Sequence, residues 1–214
     1  ECQDNEHGKR YKQVWTDNMQ KMQKAKITSS KTADFVRITF KPDYKRFGME
    51  DGIDDDLEKL LYRRVYDMAG TVRGIKVHLN GEVLKLKDFK GYCDLYAKSI
   101  AKERMDEEGG TPTCNVEMDK DKSHPRWEVG FAVSDGTFQQ VSFVNSIATT
   151  SGGSHVDYIA NQVTAYLLKA LNKKKKGHTL KQSHLKNHIF IFVNCLIDNP
   201  AFNSQTKEHM TTKT

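Results

Sequence analysis

The sequence predicts an α+β protein in which strands and helices form layers side by side. Two observations carry this expectation. Short runs alternate apolar and polar residues with period two, while longer runs place apolar residues three and four apart. The order strand, helix, strand then occurs twice along the chain.

Residues 1–34 are polar and poorly patterned apart from Tyr11 to Trp15, which reads as a short strand. Phe35 to Phe40 sets Val36, Ile38 and Phe40 on one face of a strand that Pro42-Asp43 closes. Asp54-Asp55-Asp56 opens a helix, since negative charge favours the positive end of the dipole. Its apolar stripe is Ile53, Leu57, Leu60, Leu61, Val65 and Met68, and Gly70 supplies a stop. Ile75, Val77 and Leu79 alternate, and Asn80-Gly81 turns the chain into Val83 to Leu86 as a hairpin. Residues 102–124 are charged, glycine-bearing and unpatterned, as in a surface loop or an insertion. A boundary is expected just before them, near Lys87-Asp88, dividing the chain into 1–87 and 88–214.

Trp127 to Val133 and Phe138 to Val144 read as strands. Gly152-Gly153-Ser154-His155-Val156-Asp157 leads into a long helix with a capping-box pattern from Ser154 to Asp157. Its apolar face is Val156, Ile159, Ala160, Val163, Leu167, Ala170 and Leu171. Ile189 to Ile197 carries no charge and belongs at the centre of a sheet.

The chain has 214 residues, 29% of them charged and 37% hydrophobic, which suits a globular protein and excludes a disordered tail. No apolar run approaches the ~20 residues of a membrane helix, and no signal peptide is visible. Glu1 in place of an initiator Met and a polar tail suggest a piece of a longer protein. Cys2, Cys93, Cys114 and Cys195 form no C-x-x-C pair, which argues against zinc and for a reducing compartment, cytosol or nucleus. The net charge of +6 suits a polyanionic partner without demanding one.

Four features bear on chemistry. Gln205 and Lys207 lie two apart in the polar run Asn199 to Glu208, and in an extended loop both would project from one side. A compact cation beside neutral donors suits the terminal phosphate of a nucleotide. Lys173-Lys174-Lys175-Lys176 clusters four ammonium groups at a helix tip. Such a cluster suits a DNA backbone, and the residues leave open the alternative of a solvated helix end that complements the macrodipole, which needs one or two of the four. Gly152-Gly153-Ser154-His155 fits an anion-binding helix start less well than a tight turn and cap. Asp54 to Asp56 diverge around a helix axis, and the histidines show no ligand spacing, so no metal site is assigned. Phe190 and Phe192 read as core rather than as a base-stacking platform.

The strings Val36-Arg37-Ile38-Thr39-Phe40-Lys41-Pro42-Asp43, Val77-His78-Leu79-Asn80-Gly81, His124-Pro125-Arg126-Trp127-Glu128-Val129, Phe138 to Thr149, Gly152 to Tyr158 and Ser204-Gln205-Thr206-Lys207-Glu208 occur in the order found in one family. Over nearly the whole chain it resembles the ATPase region of the eukaryotic DNA topoisomerase II family. The resemblance implies that 1–87 is the C-terminal end of a GHKL ATP-binding domain. It implies that 88–214 is a transducer, a two-layer α/β sandwich of ribosomal-protein type with a left-handed β-α-β crossover. It further implies a nuclear homodimer that passes one DNA duplex through another, using ATP and Mg²⁺. Gln205 and Lys207 would contact the γ-phosphate, Lys207 as a catalytic group, and Lys173 to Lys176 would contact DNA. The family's Mg²⁺-holding Asn, general-base Glu, Gly-rich lid and DNA-cleaving Tyr have no counterpart here, so the chain reads as the coupling element of the enzyme and as inactive by itself.

Two rivals differ in class. A basic nucleic-acid-binding module would need Lys173 to Lys176 and be indifferent to Lys207. An autonomous small enzyme would need an activated nucleophile, and neither Cys93 nor Cys195 has a visible activating partner.

Overall fold

The computed structural model describes residues 1–108, 117–120, 126–174 and 180–213, with backbone alone at 104–108, 117–120 and 174. Two units divide the chain, Glu1–Glu58 and Lys59–Thr214. The first ends ahead of the boundary expected near Lys87-Asp88.

In the first unit, β1 (Cys2–Asp4), β2 (Lys9–Lys12), β5 (Lys26–Ser29) and β6 (Phe35–Val36) form an antiparallel sheet in the order β5-β2-β1-β6. Between β2 and β5, β3 (Trp15–Thr16) pairs with β4 (Lys21–Met22) across a turn with Asp17, Asn18 and Met19 at positive φ. The stretch before residue 34, expected to hold one short strand from Tyr11 to Trp15, thus holds five, and that run is divided between β2 and β3. Charged side chains hide the strand pattern, and ion pairs compensate them. Glu1 accepts from Arg10 at 2.9 Å and lies 2.8 Å from Lys12. Hydrogen bonds from Lys12 and Arg10 bring its carboxyl down to about 2. The strand expected through Phe40 stops at Val36, and Val36, Ile38 and Phe40 are all exposed.

Helix α1 (Asp55–Thr71) starts where expected, with the Asp54 carboxylate accepting from the Leu57 amide at 2.8 Å. The anticipated stripe is not its buried face: Leu60, Leu61 and Met68 are exposed, while Asp67, Ala69, Gly70 and Thr71 are buried. Nor is Gly70 a stop. It lies inside the last turn, where a Cβ would stand 2.6 Å from the Cβ of Tyr92.

In the second unit, β7 (His78–Leu79) and β8 (Glu82–Val83) pair across Asn80-Gly81, both at positive φ as a two-residue type I′ turn requires. Helix α2 (Phe89–Glu108) follows, an element not anticipated. Its first turn is capped by the Asp88 carboxylate, which accepts from the Gly91 amide at 2.9 Å.

The rest is one sheet with helices against it. β9 (Glu117–Lys120), β10 (Trp127–Val133), β11 (Gln139–Val144), β12 (Ile147–Ala148) and β13 (Ile189–Cys195) run in the order β12-β11-β13-β10-β9. Part of the stretch expected to be unpatterned thus belongs to α2 and β9; 109–116 and 121–125 lie outside the described residues. β11 and β13 are parallel neighbours, joined by α3 (Ser154–Lys174) and the short α4 (Gln182–Lys186). β13 is central and buried along its whole length.

Both faces of β13 are covered, which explains its unbroken apolar run. Phe190 and Phe192 join Phe143, Phe89, Tyr92, Cys93 and Ala97 on the α2 side. Ile189, Ile191, Val193 and Cys195 join Ala160, Ile159, Val163 and Leu167 on the α3 side. At about 1.5–3 kcal/mol per buried large side chain, these two clusters dominate the unit's stability. The α+β class holds. The sheet with α3 gives the expected two layers, and α2 adds helical cover on the opposite face.

Candidate functional site

The run containing Gln205 and Lys207 is held at its base from both sides. Arg126 donates to both Asp198 carboxylate oxygens, at 2.8 and 3.2 Å, and to the Leu196 carbonyl at 3.2 Å. That pairing holds the Asp198 carboxyl below the usual carboxylate range. Opposite, the Asn145 amide donates to the Ile197 carbonyl and accepts from the Ile197 amide, each at 2.9 Å.

Beyond this clamp the chain folds back on itself. The Thr211 amide donates to the Ala201 carbonyl at 2.9 Å, and the Asn203 amide donates to the His209 carbonyl at 3.1 Å. Residues 204–208 form the tip. There the Lys207 amide donates to the Ser204 carbonyl at 3.1 Å, the Ser204 and Thr206 hydroxyls lie 2.7 Å apart, and Lys207 has φ +60°. The loop is a tight turn and not an extended segment, so strand alternation does not govern where Gln205 and Lys207 project. Gln205 is exposed and Lys207 half-buried. Among the described residues, no carboxylate forms an ion pair with Lys207.

The returning arm of this loop is attached to the start of α3. The Ser151 amide donates to the Glu208 carbonyl at 3.0 Å, the Met210 amide to the Gly152 carbonyl at 3.2 Å, and the Ser154 amide to the Met210 carbonyl at 3.1 Å. The expected capping box does not form: Ser154 is already helical and its hydroxyl donates to the Thr212 carbonyl, while Asp157 pairs with Lys186 at 3.3 Å. With the Ser154 amide taken by Met210, the Gly-Gly turn is structural. His155 is fully buried, its Nε2 lying 3.0 Å from the Thr149 hydroxyl. Burial chiefly, then nearby His209, brings its pKa down to about 4 against an opposing effect of Asp157.

Lys173 lies exposed near the far end of α3. The backbone of Lys174 ends the helix, and Lys175 and Lys176 lie outside the described residues. Thus α3 has the Gln205–Lys207 loop attached to one end and the basic run at the other.

Cys93 and Cys195 are buried, which raises both thiols, Cys195 to about 12, so neither is a poised nucleophile. Phe190 and Phe192 stack 4.2 Å apart in the core. No three His, Cys, Asp or Glu residues among those described stand together as a metal site. No described helix is long and apolar enough to cross a membrane.

Two polar clusters went unforeseen. Asn194, the penultimate residue of β13, donates to Glu128 at 3.0 Å and to the Thr71 carbonyl at 3.3 Å, and Arg73 pairs with Glu128 at 2.9 Å. The Tyr92 hydroxyl donates to Asp67 at 2.6 Å and lies 3.0 Å from the Tyr96 hydroxyl. Together they fasten the end of α1 to α2 and the sheet. The one sequence signal was a carboxylate and an amide inside strand patterns, at Glu128 and Asn194. A shallow groove of about 540 Å³, lined in part by Tyr96, Ile100, Phe138, Gln140 and Phe190, contains none of the predicted site residues.

The family model described as DNA gyrase B matches residues 88–214. DNA topoisomerase 2 of Penicillium chrysogenum is 57% identical over all 214 residues, which span 13% of that protein. The Saccharomyces cerevisiae protein of the same name is 48% identical over 96% of this chain and 15% of its own length. Among solved structures, the ATPase region of Saccharomyces cerevisiae topoisomerase II superposes with a TM-score of 0.81 at 45% identity, covering 99% of this chain and 51% of that one. The ATPase and transducer domains of the Balamuthia mandrillaris enzyme give a TM-score of 0.84 at 35% identity, again covering 99% of this chain and 51% of that one. The chain thus spans a small part of its curated relatives' length and about half of the solved regions. It belongs to the DNA gyrase B family, and within it the chain matches a stretch of the ATPase region of eukaryotic DNA topoisomerase 2.

Proposed function

We propose that the chain is the coupling segment of a type IIA DNA topoisomerase, an ATP-dependent enzyme that passes one DNA duplex through another. Residues 88–214 act as the transducer, and 1–87 complete the C-terminal part of the ATP-binding domain. Gln205 and Lys207 contact the ATP γ-phosphate, with Lys207 as the catalytic cation. Lys173 to Lys176 contact the DNA backbone. The enzyme works as a nuclear homodimer with Mg²⁺ held by residues outside this chain.

One observation carries this reading. Lys207 has no ion-pair partner among the described residues, and it sits on a tight turn attached to α3, whose other end leads into the basic run. A unit charge about 4 Å from a phosphate oxygen is worth about 4 kcal/mol at an effective dielectric of about 20. Charge builds on those oxygens during transfer, so a cation there lowers the barrier as well as aiding binding. Departure of the phosphate removes the tip's partner, and α3 spans about 30 Å toward the basic run at 1.5 Å per residue.

The test is steady-state ATP hydrolysis by an enzyme containing the complete ATPase region, with Lys207 and with Lys207→Ala. The expected loss in kcat lies between about 10-fold and about 10³-fold. An unchanged rate would make Lys207 a surface lysine. The exposure of Lys173 favours a second reading, a basic nucleic-acid-binding module. That module would lose salt-sensitive duplex binding when Lys173 to Lys176 are neutralised and would ignore Lys207→Ala.

A further inference from the structure

We infer that Gly153 is the positioning residue of the Lys207 loop, holding it in register on the start of α3; this rests on the nucleotide role proposed for Lys207. Gly153 has φ +138°, a conformation that L side chains rarely adopt. More decisively, a Cβ there would stand 2.4 Å from the Met210 carbonyl oxygen and 2.6 Å from the Met210 nitrogen. Both obstructing atoms are backbone, so no rotamer change relieves the clash.

The crossing chain cannot simply move away. Met210 is fully buried in the core cluster beneath α3, and its amide and carbonyl are both engaged, with Gly152 and Ser154. Glu208 and Thr212, two residues to either side, are attached to Ser151 and Ser154. His209 Nδ1 lies 3.0 Å from the Ser151 carbonyl oxygen. The clip therefore spans Glu208 to Thr212 and begins one residue after Lys207. Any side chain at 153 displaces the arm that supports the tip, and the displacement reaches the Lys207 ammonium through three residues of backbone.

Gly153 touches no reacting atom, so its effect is geometric. Misplacing a catalytic group by about 1 Å costs on the order of 10²-fold in rate. Gly153→Ala is expected to lower kcat for ATP hydrolysis by about 10- to 100-fold while moving KM less than about twofold, because a misplaced cation loses transition-state contact more than ground-state binding. The double variant Gly153→Ala/Lys207→Ala is expected to be only slightly slower than Lys207→Ala, since a cation already removed cannot be misplaced and only the neutral Gln205 contact remains to be disturbed.

The experiment measures kcat and KM for the unsubstituted protein, both single variants and the double variant, in an enzyme with the complete ATPase region. Rates are normalised to the folded fraction from thermal melts. Losses that fail to multiply support positioning. Losses that multiply, or a normal kcat for Gly153→Ala, overturn it. An inert Lys207→Ala overturns the nucleotide reading itself, a distinguishable outcome. Should Gly153→Ala not fold, Ser154→Ala removes only the hydroxyl clip to Thr212. The same cycle with Lys207→Ala then decides, a smaller non-multiplying loss supporting the inference and a normal or multiplying one overturning it.

Discussion

His155 is a buried imidazole kept neutral. In the unfolded chain it binds a proton near its ordinary value of 6.5, whereas in the fold burial delays protonation until about pH 4. Between those values the unfolded state holds more protons, so stability falls as pH drops through the window and is unaffected by this group above it. A shift of this size corresponds to about 3 kcal/mol at most. Denaturant midpoints at pH 7 and pH 4.5 should therefore diverge more for the unsubstituted chain than for His155→Asn, which can keep a hydrogen bond to Thr149 without titrating. Equal divergence in the two proteins would mean that groups other than His155 carry the acid sensitivity in this window.

At the scale of elements, Gly70 decides how closely α1 approaches α2. Glycine costs a helix about 1 kcal/mol relative to alanine, so propensity alone would favour Gly70→Ala. Against that, the new methyl would lie 2.6 Å from two carbons of Tyr92, a side chain 2% exposed and hydrogen-bonded to Asp67. Overpacking typically costs about 1–3 kcal/mol, and a ring held this firmly places the site toward the upper end. Gly70→Ala is expected to destabilise the chain by about 1–2 kcal/mol net, read as a lower denaturant midpoint at unchanged slope. A more stable variant would show that Tyr92 yields easily. The same close approach explains why sequence pattern misleads here: a glycine near a helix end suggests a stop, whereas this one marks tight packing. Helix α2 is legible in hindsight, since Phe89, Tyr92, Cys93, Tyr96, Ala97 and Ile100 repeat at helical spacing behind the cap residue Asp88. The stripe on α1 misleads for the opposite reason. Its buried face includes Asp67, a carboxylate that apolar periodicity cannot place and a tyrosine hydroxyl holds inside. β13 is plain in the sequence because burial on both faces leaves it no polar alternation to disguise it.

Across the whole molecule, the candidate site was legible as composition and not as geometry. The sequence displays Gln205, Lys207 and the basic run, but backbone hydrogen bonds attach the loop to α3, and no side-chain pattern encodes them. That attachment makes the far end of α3 the place to test the coupling. If Lys173 to Lys176 lie on a DNA backbone, changing all four to Gln should reduce the slope of log Kobs against log salt. The reduction should be about 0.9 for each phosphate no longer neutralised, up to about 3.6. The weakening should be alike for unrelated duplex sequences, since phosphate contacts read no bases. Macrodipole compensation alone predicts an unchanged slope and a helix weakened by at most about 1 kcal/mol. Linkage adds a second requirement. If α3 couples the two ends, ATP must change DNA affinity by the same factor by which DNA changes ATP affinity, and quadruple substitution should bring both factors toward one. A slope that falls while the two factors persist would place DNA on the lysines but route the coupling elsewhere, for which the Arg73–Glu128–Asn194 cluster joining α1 to the sheet is the next candidate.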